Sequence, residues 1–150
     1  MSNEMKLEFD AVSENEGFAR VAVAAFVTPT LQEVADVKTA VSEAVTNAII
    51  HGYADWGSLG QGPGKVVIRC CLNDDVLHIE VEDKGRGIED VEKAMEPLYT
   101  TRPDMDRSGM GFAFMEAFMD DLDVESEPGK GTLVKMEKKL GTLSWTEDEE

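Results

Sequence analysis

An α+β fold is predicted for this 150-residue chain: a two-layer sandwich with helices on one face of a mixed, mostly antiparallel sheet. Three observations predict it. Two apolar runs, 65–72 and 76–81, flank Asn73-Asp74-Asp75 and read as a hairpin. Val34, Val37, Val41, Ala44 and Ala48 recur at three- and four-residue steps, the mark of an amphipathic helix. The order is mixed, with helices between strands, and no repeat or interdomain linker interrupts it. A chain of this length builds one core. One domain over 1–140 is therefore expected, followed by an acidic, frayed tail over 141–150.

The elements follow in order. Met5, Leu7 and Phe9 alternate with polar residues and predict a first strand over 5–10. Ser13 and Glu16 form a capping-box pattern ahead of a helix whose apolar face is Phe18, Val21, Ala22 and Ala25. Pro29 ends that helix, and Thr30 is positioned to cap the longer second one, with Glu33 three residues on and an end near Gly52. Residues 54–64 form a glycine-rich loop. After the hairpin, 82–87 is a glycine-containing turn and 89–95 a short helix. Residues 97–108, with Pro97 and Pro103 and no periodicity, form a long loop. A third helix spans 109–121, with Phe112, Met115, Phe118 and Met119 on one side. Two closing strands, 122–125 and 132–138, flank Pro128-Gly129-Lys130-Gly131.

Asp and Glu number 31 against 14 Lys and Arg, a formal charge of −17. That balance argues against direct nucleic-acid binding and against an anionic membrane surface. It suits a partner with a basic contact surface. Neither a membrane span nor a signal peptide is evident, so the cytoplasm is expected. Cys70 and Cys71 are adjacent and point to opposite faces of a strand, so neither a bridge nor shared metal ligation is expected. A phosphate ligand on so acidic a chain needs local help from a cation, backbone N–H groups and a few basic side chains.

Four clusters could supply that help. Glu43 and Asn47 lie one turn apart at the edge of the buried face of the second helix. A carboxylate there can accept a proton, and an amide oxygen can ligate Mg²⁺. Two polar residues on a helix flank is the plainer reading. Asp83 ends a strand and is followed by Gly85 and Gly87, which let backbone approach a ligand; a plain turn is the alternative. Arg107-Ser108-Gly109-Met110-Gly111 opens the third helix, where free N–H groups can cradle phosphate. Gly129-Lys130-Gly131-Thr132 precedes the last strand and by itself is only a turn.

The order and spacing of the four clusters resemble the boxes of the GHKL superfamily of ATPases and kinases, which share the Bergerat ATP-binding fold. Within it, EAVTNAIIHGY, the stretch from Pro97 to Pro103, RSGMGF and the N-terminal Asn15-Glu16-Gly17-Phe18-Ala19-Arg20-Val21 resemble the anti-sigma factor serine kinases of spore-forming bacteria, the anti-sigma F group in particular. The resemblance covers nearly the whole chain. It implies ATP and Mg²⁺ as cofactors, Glu43 as the general base toward a substrate serine, and Asn47 as the Mg²⁺ ligand. It implies Asp83 as the acceptor for adenine N6, with Gly85, Gly87 and Thr132 shaping the pocket. The loop 97–108 becomes an ATP lid, Ser108, Gly109 and Gly111 meet the phosphates, and Arg102 reaches the γ-phosphate. Arg20 falls on a partner-binding surface. The implied partners are a sigma factor, held away from RNA polymerase, an anti-anti-sigma protein that is phosphorylated, and a second copy in a homodimer.

Rival readings are weaker. Gly64-Lys65 is followed by Val66, and Leu59 stands where a P-loop needs its first glycine. After Gly109 and Gly111, Phe114 occupies the third site of a dinucleotide fingerprint. His51 and His78 are too few for a metal site, and His51 is read as structural or pocket-lining before phospho-acceptor. Three alternatives stay open: a nucleotide-dependent binding switch without significant kinase activity, the stress-response anti-sigma kinase, and an isolated histidine-kinase ATP domain. The last is disfavoured because no dimerising helix pair precedes the domain.

Overall fold

A computed structural model describes residues 2–28, 33–53, 62–96 and 111–141. Pro29, Thr30, most of the glycine-rich loop, the 97–108 segment with Arg102 and Ser108, Gly109, and the tail from 142 onward lie outside the described residues. Five strands occur among those described: β1 (Ser2–Asp10), β2 (Lys65–Asn73), β3 (Val76–Asp83), β4 (Asp121–Glu127) and β5 (Gly131–Lys139). They form one sheet in the order β1-β2-β3-β5-β4. Every described pairing is antiparallel, so the sheet expected as mixed has no parallel pair among the described residues.

Alternation decides the two faces. Val66, Ile68, Cys70 and Leu72 of β2 point inward with Leu77, Ile79 and Val81 of β3 and Val134 and Met136 of β5. The helices α1 (Glu14–Val27), α2 (Val34–Asn47) and α4 (Gly111–Phe118) cover that face, with α2 between the other two, and a single-turn α3 (Val91–Ala94) precedes α4. Val37, Val41 and Val45 of α2 are fully buried. Each such side chain contributes about 1.5–3 kcal/mol of transfer free energy, which makes α2 the fixed wall from which a site can be built. The outer face is charged: Arg69 meets Glu82 at 3.0 Å and Glu80 at 3.6 Å, and Lys135 meets Glu125 at 2.6 Å. These pairs are half-exposed and each adds at most about 1 kcal/mol. Cys70 and Cys71 are free thiols, one buried in the core and one on the outer face.

Three local expectations are corrected. The Ser13–Glu16 capping box does not form: Ser13 makes no side-chain cap, and the Glu16 carboxylate instead accepts Arg20 Nε at 3.0 Å. The second helix does not stay α to Gly52; it ends at Asn47 and continues as a π-helical turn, Ala48–Gly52. The third helix stops at Phe118 rather than 121. There Lys138, buried on β5, donates to the Phe118 carbonyl at 2.7 Å, and the Asp120 N–H donates to the Glu137 carbonyl at 2.9 Å. A buried ammonium on a helix C-terminal carbonyl is a favourable stop. The hairpin turn falls as expected, with Asp74 at φ 56°.

Candidate functional site

The end of β3 forms one wall of a cavity of about 610 Å³, within the usual size of a small-molecule site. Asp83 sits there, 5% exposed, with the Gly85 N–H donating to its Oδ1 at 2.9 Å and a further hydrogen bond from the Thr132 backbone. Burial, against these two donors, pushes its carboxyl up to about 6. A buried acceptor facing open space is poised for a donor from a ligand.

The opposite wall is α2 and its π-helical turn, with Ala44, Asn47, Ala48, His51 and Gly52 at the cavity. The two walls touch at the base. A Cβ on Gly52 would stand 2.8 Å from Asp83 Oδ1, and one on Gly85 would collide with the Gly52 carbonyl oxygen. The Arg86 N–H donates to that carbonyl at 2.7 Å. Gly87, at φ +76°, turns the chain against Glu127 and is held in a conformation that side chains rarely adopt. The Ile88 N–H then donates to Ser126 Oγ at 2.8 Å, and Ser126 Oγ lies 2.8 Å from Thr132 Oγ1. The turn after β3, the turn before β5 and the π-helical turn are thus one hydrogen-bonded corner.

Of the residues expected at the site, Asn47, Asp83, Gly87, Gly111 and Thr132 line this cavity, and Gly85 forms its base beside Gly52. Gly111, the first described residue of α4, abuts Asn47: a Cβ there would be 3.0 Å from Asn47 Nδ2. Glu43 is half-buried, one turn back along α2, and is not among the lining residues. Arg102, Ser108 and Gly109 fall outside the described residues. Arg20 stands apart from the cavity on α1, where Phe18 (53%) and Val21 (58%) are the exposed large apolar side chains.

Sequence reasoning missed Gly52 as a contact of Asp83, the basic side chains Arg86 and Lys93 at the cavity, and Ser126 behind Thr132. Gly52 was legible only as a helix stop. The signal for Arg86 was its place between the two glycines. Nothing local marks Ser126 or Lys93.

Among the described residues, no group of three or more His, Cys, Asp or Glu side chains is arranged to hold a metal. Mg²⁺ bound together with phosphates takes few protein donors. The Asn47 amide oxygen at the cavity wall suits that role. No helix among the described residues is long and apolar enough to cross a membrane.

Comparison with known proteins agrees with this architecture. Residues 8–138 match the histidine kinase-like ATPase domain family. The anti-sigma F factor of Clostridium acetobutylicum is 58% identical over 146 residues, covering 95% of this chain and 98% of that protein. The anti-sigma F factor of Clostridium perfringens strain SM101 is 56% identical over 146 residues, covering 95% and 100%. Among solved structures, the RsbU and RsbW domains of a Mycobacterium tuberculosis protein superpose with a TM-score of 0.64 at 21% identity, covering 92% of this chain and 32% of that one. At that identity the likeness is one of fold.

Proposed function

Since the chain belongs to the anti-sigma F factor family of histidine kinase-like ATPases, we propose that it binds Mg-ATP in the β3–α2 cavity, phosphorylates a serine of an anti-anti-sigma protein, and sequesters a sporulation sigma factor from RNA polymerase in the cytoplasm. The observation that carries this reading is the meeting of buried Asp83 with Asn47 across one cavity. Asp83 accepts the N6 amine of adenine. Gly85, Gly87 and Thr132 keep the base in place, and Asn47 supplies an oxygen to Mg²⁺. Gly111, with Ser108, Gly109 and Arg102, meets the phosphates. A bound Mg²⁺ supplies charge neutralisation for the phosphates.

From the π-helical turn at Gly52 the path runs through Asn47 to Glu43 and leads away from Asp83, with the α-helical step from Asn47 to Glu43 alone covering roughly 6 Å at 1.5 Å per residue. Glu43 thus belongs with the phosphate end rather than the base end. That is where a serine hydroxyl must give up its proton, and a carboxylate there serves as the general base. Phosphoryl transfer asks little else of the protein than holding the reactants in line. Arg20, on the exposed face of α1 beside Phe18 and Val21, contacts the partner, and the active species is a homodimer.

Incubation with γ-labelled ATP, Mg²⁺ and the candidate anti-anti-sigma protein should transfer label to serine. Nucleotide-dependent sigma binding without transfer would replace the kinase reading with a pure switch. Label on histidine would replace it with a histidine-kinase domain.

A further inference from the structure

We infer that Tyr53 is a positioning and specificity-determining residue of this site: its hydroxyl wedges apart the ends of β2 and β3 and thereby sets where Asp83 presents its carboxylate. The inference rests on the reading of the cavity as an adenine-nucleotide site.

The β2–β3 ladder runs antiparallel as far as Val66 opposite Asp83. The next facing residues are Lys65 and Lys84, and between them the ladder stops. The Lys84 N–H donates instead to Tyr53 Oη at 2.7 Å, and the Tyr53 hydroxyl donates to the Lys65 carbonyl at 2.6 Å. One hydroxyl therefore stands in the place of a single direct strand–strand bond, with a donor and an acceptor function in use. Burial pushes the phenol pKa up, so the proton it donates stays in place at neutral pH. The two backbone groups are held apart by the width of an oxygen atom.

That separation frees β3 to leave its partner. Beyond Asp83 the chain turns from β2 toward the π-helical turn, where the Arg86 N–H reaches the Gly52 carbonyl at 2.7 Å. Gly52 lies against the Asp83 carboxylate with no room for a Cβ, and its neighbour Tyr53 holds the amide immediately after Asp83. Residues 52 and 53 together grip both sides of the adenine acceptor. The Tyr53 ring is 8% exposed and seated over Gly64, where a Cβ would overlap ring atom Cε1. The hydroxyl thus has little freedom, and it is fixed by packing as well as by hydrogen bonds. Phenylalanine keeps the ring and removes the wedge. Lys84 N–H and Lys65 C=O then either close on each other or go unpaired, and either outcome moves the Asp83 carboxylate. Hydrogen bonds weaken steeply with such displacement.

The test compares Mg-ADP with Mg-IDP, which lacks the exocyclic amine, by calorimetric titration of the full chain. The unaltered protein should prefer ADP. Tyr53→Phe should narrow that preference by about fivefold or more, the scale of one ordinary hydrogen bond, with IDP affinity within about twofold of the original. Gly64→Ala, which crowds the ring but keeps the hydroxyl, should narrow it likewise. A preference unchanged in a folded Tyr53→Phe protein overturns the wedge while leaving the nucleotide site standing. No ADP preference in the unaltered protein removes the adenine site and the wedge with it. Should neither variant fold, hydrogen exchange at the Lys84 amide of the unaltered protein decides: protection like that of strand-interior amides supports the wedge, and exchange as fast as in an open loop overturns it.

Discussion

The two walls of the cavity are built in different ways. The Asp83 corner is made of backbone: Gly52, Gly85 and Gly87 approach other main-chain or carboxylate atoms too closely to admit a Cβ, and the acceptor is buried at 5% exposure. The α2 wall presents the Asn47 side chain, with Glu43 one turn back and outside the lining, on a helix whose buried side is locked by Val37, Val41 and Val45. A backbone corner cannot be altered without moving the frame. A side chain on a fixed helix can be removed with the frame intact. Recognition and chemistry should therefore separate cleanly on mutation.

The largest expected effect sharpens that contrast. Glu43→Ala should lower phosphoryl transfer by about 10²–10⁴-fold, the usual contribution of a general base, while ATP affinity changes by less than about twofold. Single-turnover transfer and equilibrium binding measure the two separately. Loss of both together would place Glu43 with the binding frame and erase the distinction.

Next comes the corner itself. Gly85→Ala drives a methyl group into the Gly52 carbonyl oxygen, a backbone obstacle that cannot rotate away. A loss of about 3 kcal/mol in folding stability is expected, the upper part of the range for overpacking, and nucleotide binding should fall with it. Denaturant melts and ADP titration check both. A variant as stable and as tight-binding as the original would mean that the corner yields more easily than a backbone contact should.

The smallest effect is one of pH, and here stability and binding should oppose each other. Burial pushes the Asp83 carboxyl up to about 6 from an ordinary 3.8. The folded protein thus holds this proton more tightly than the unfolded chain. The Asp83 contribution makes folding less favourable as pH rises from about 4 to 6, and it is level above that. Adenine recognition needs the ionised acceptor, so ADP affinity should rise across the same window. Asp83→Asn should flatten both trends. Affinity that falls as pH rises through 6 would argue that the protonated carboxyl is the binding form.

Much of this was legible in the sequence. The hairpin over Asn73-Asp74-Asp75, the apolar stripe of α2 and the apolar runs that become β2 and β3 follow from local pattern, whereas the sheet order β1-β2-β3-β5-β4 rests on long-range pairing that no local pattern encodes. Asp83 and Gly87 were legible from turn chemistry at a strand end, Thr132 only through the resemblance to the family, and the structure brings all three to one cavity. Three features were not. The Ser13–Glu16 cap lost to an ion pair with Arg20, a competition that a four-residue pattern does not register. The π-helical turn at Ala48–Gly52 keeps an apolar spacing that reads as ordinary helix. The Tyr53 hydroxyl acts on Lys65 and Lys84, 12 and 31 residues away, and only the folded chain brings them together.

The central claim is that Asp83 receives an adenine base in a cavity shared with Asn47. A crystal structure of the protein with Mg²⁺ and a non-hydrolysable ATP analogue tests it most directly. The exocyclic amine should lie within hydrogen-bonding distance of the Asp83 carboxylate, with Mg²⁺ on the Asn47 side chain. A base seated elsewhere, or turned so that its amine faces away from Asp83, would contradict the account.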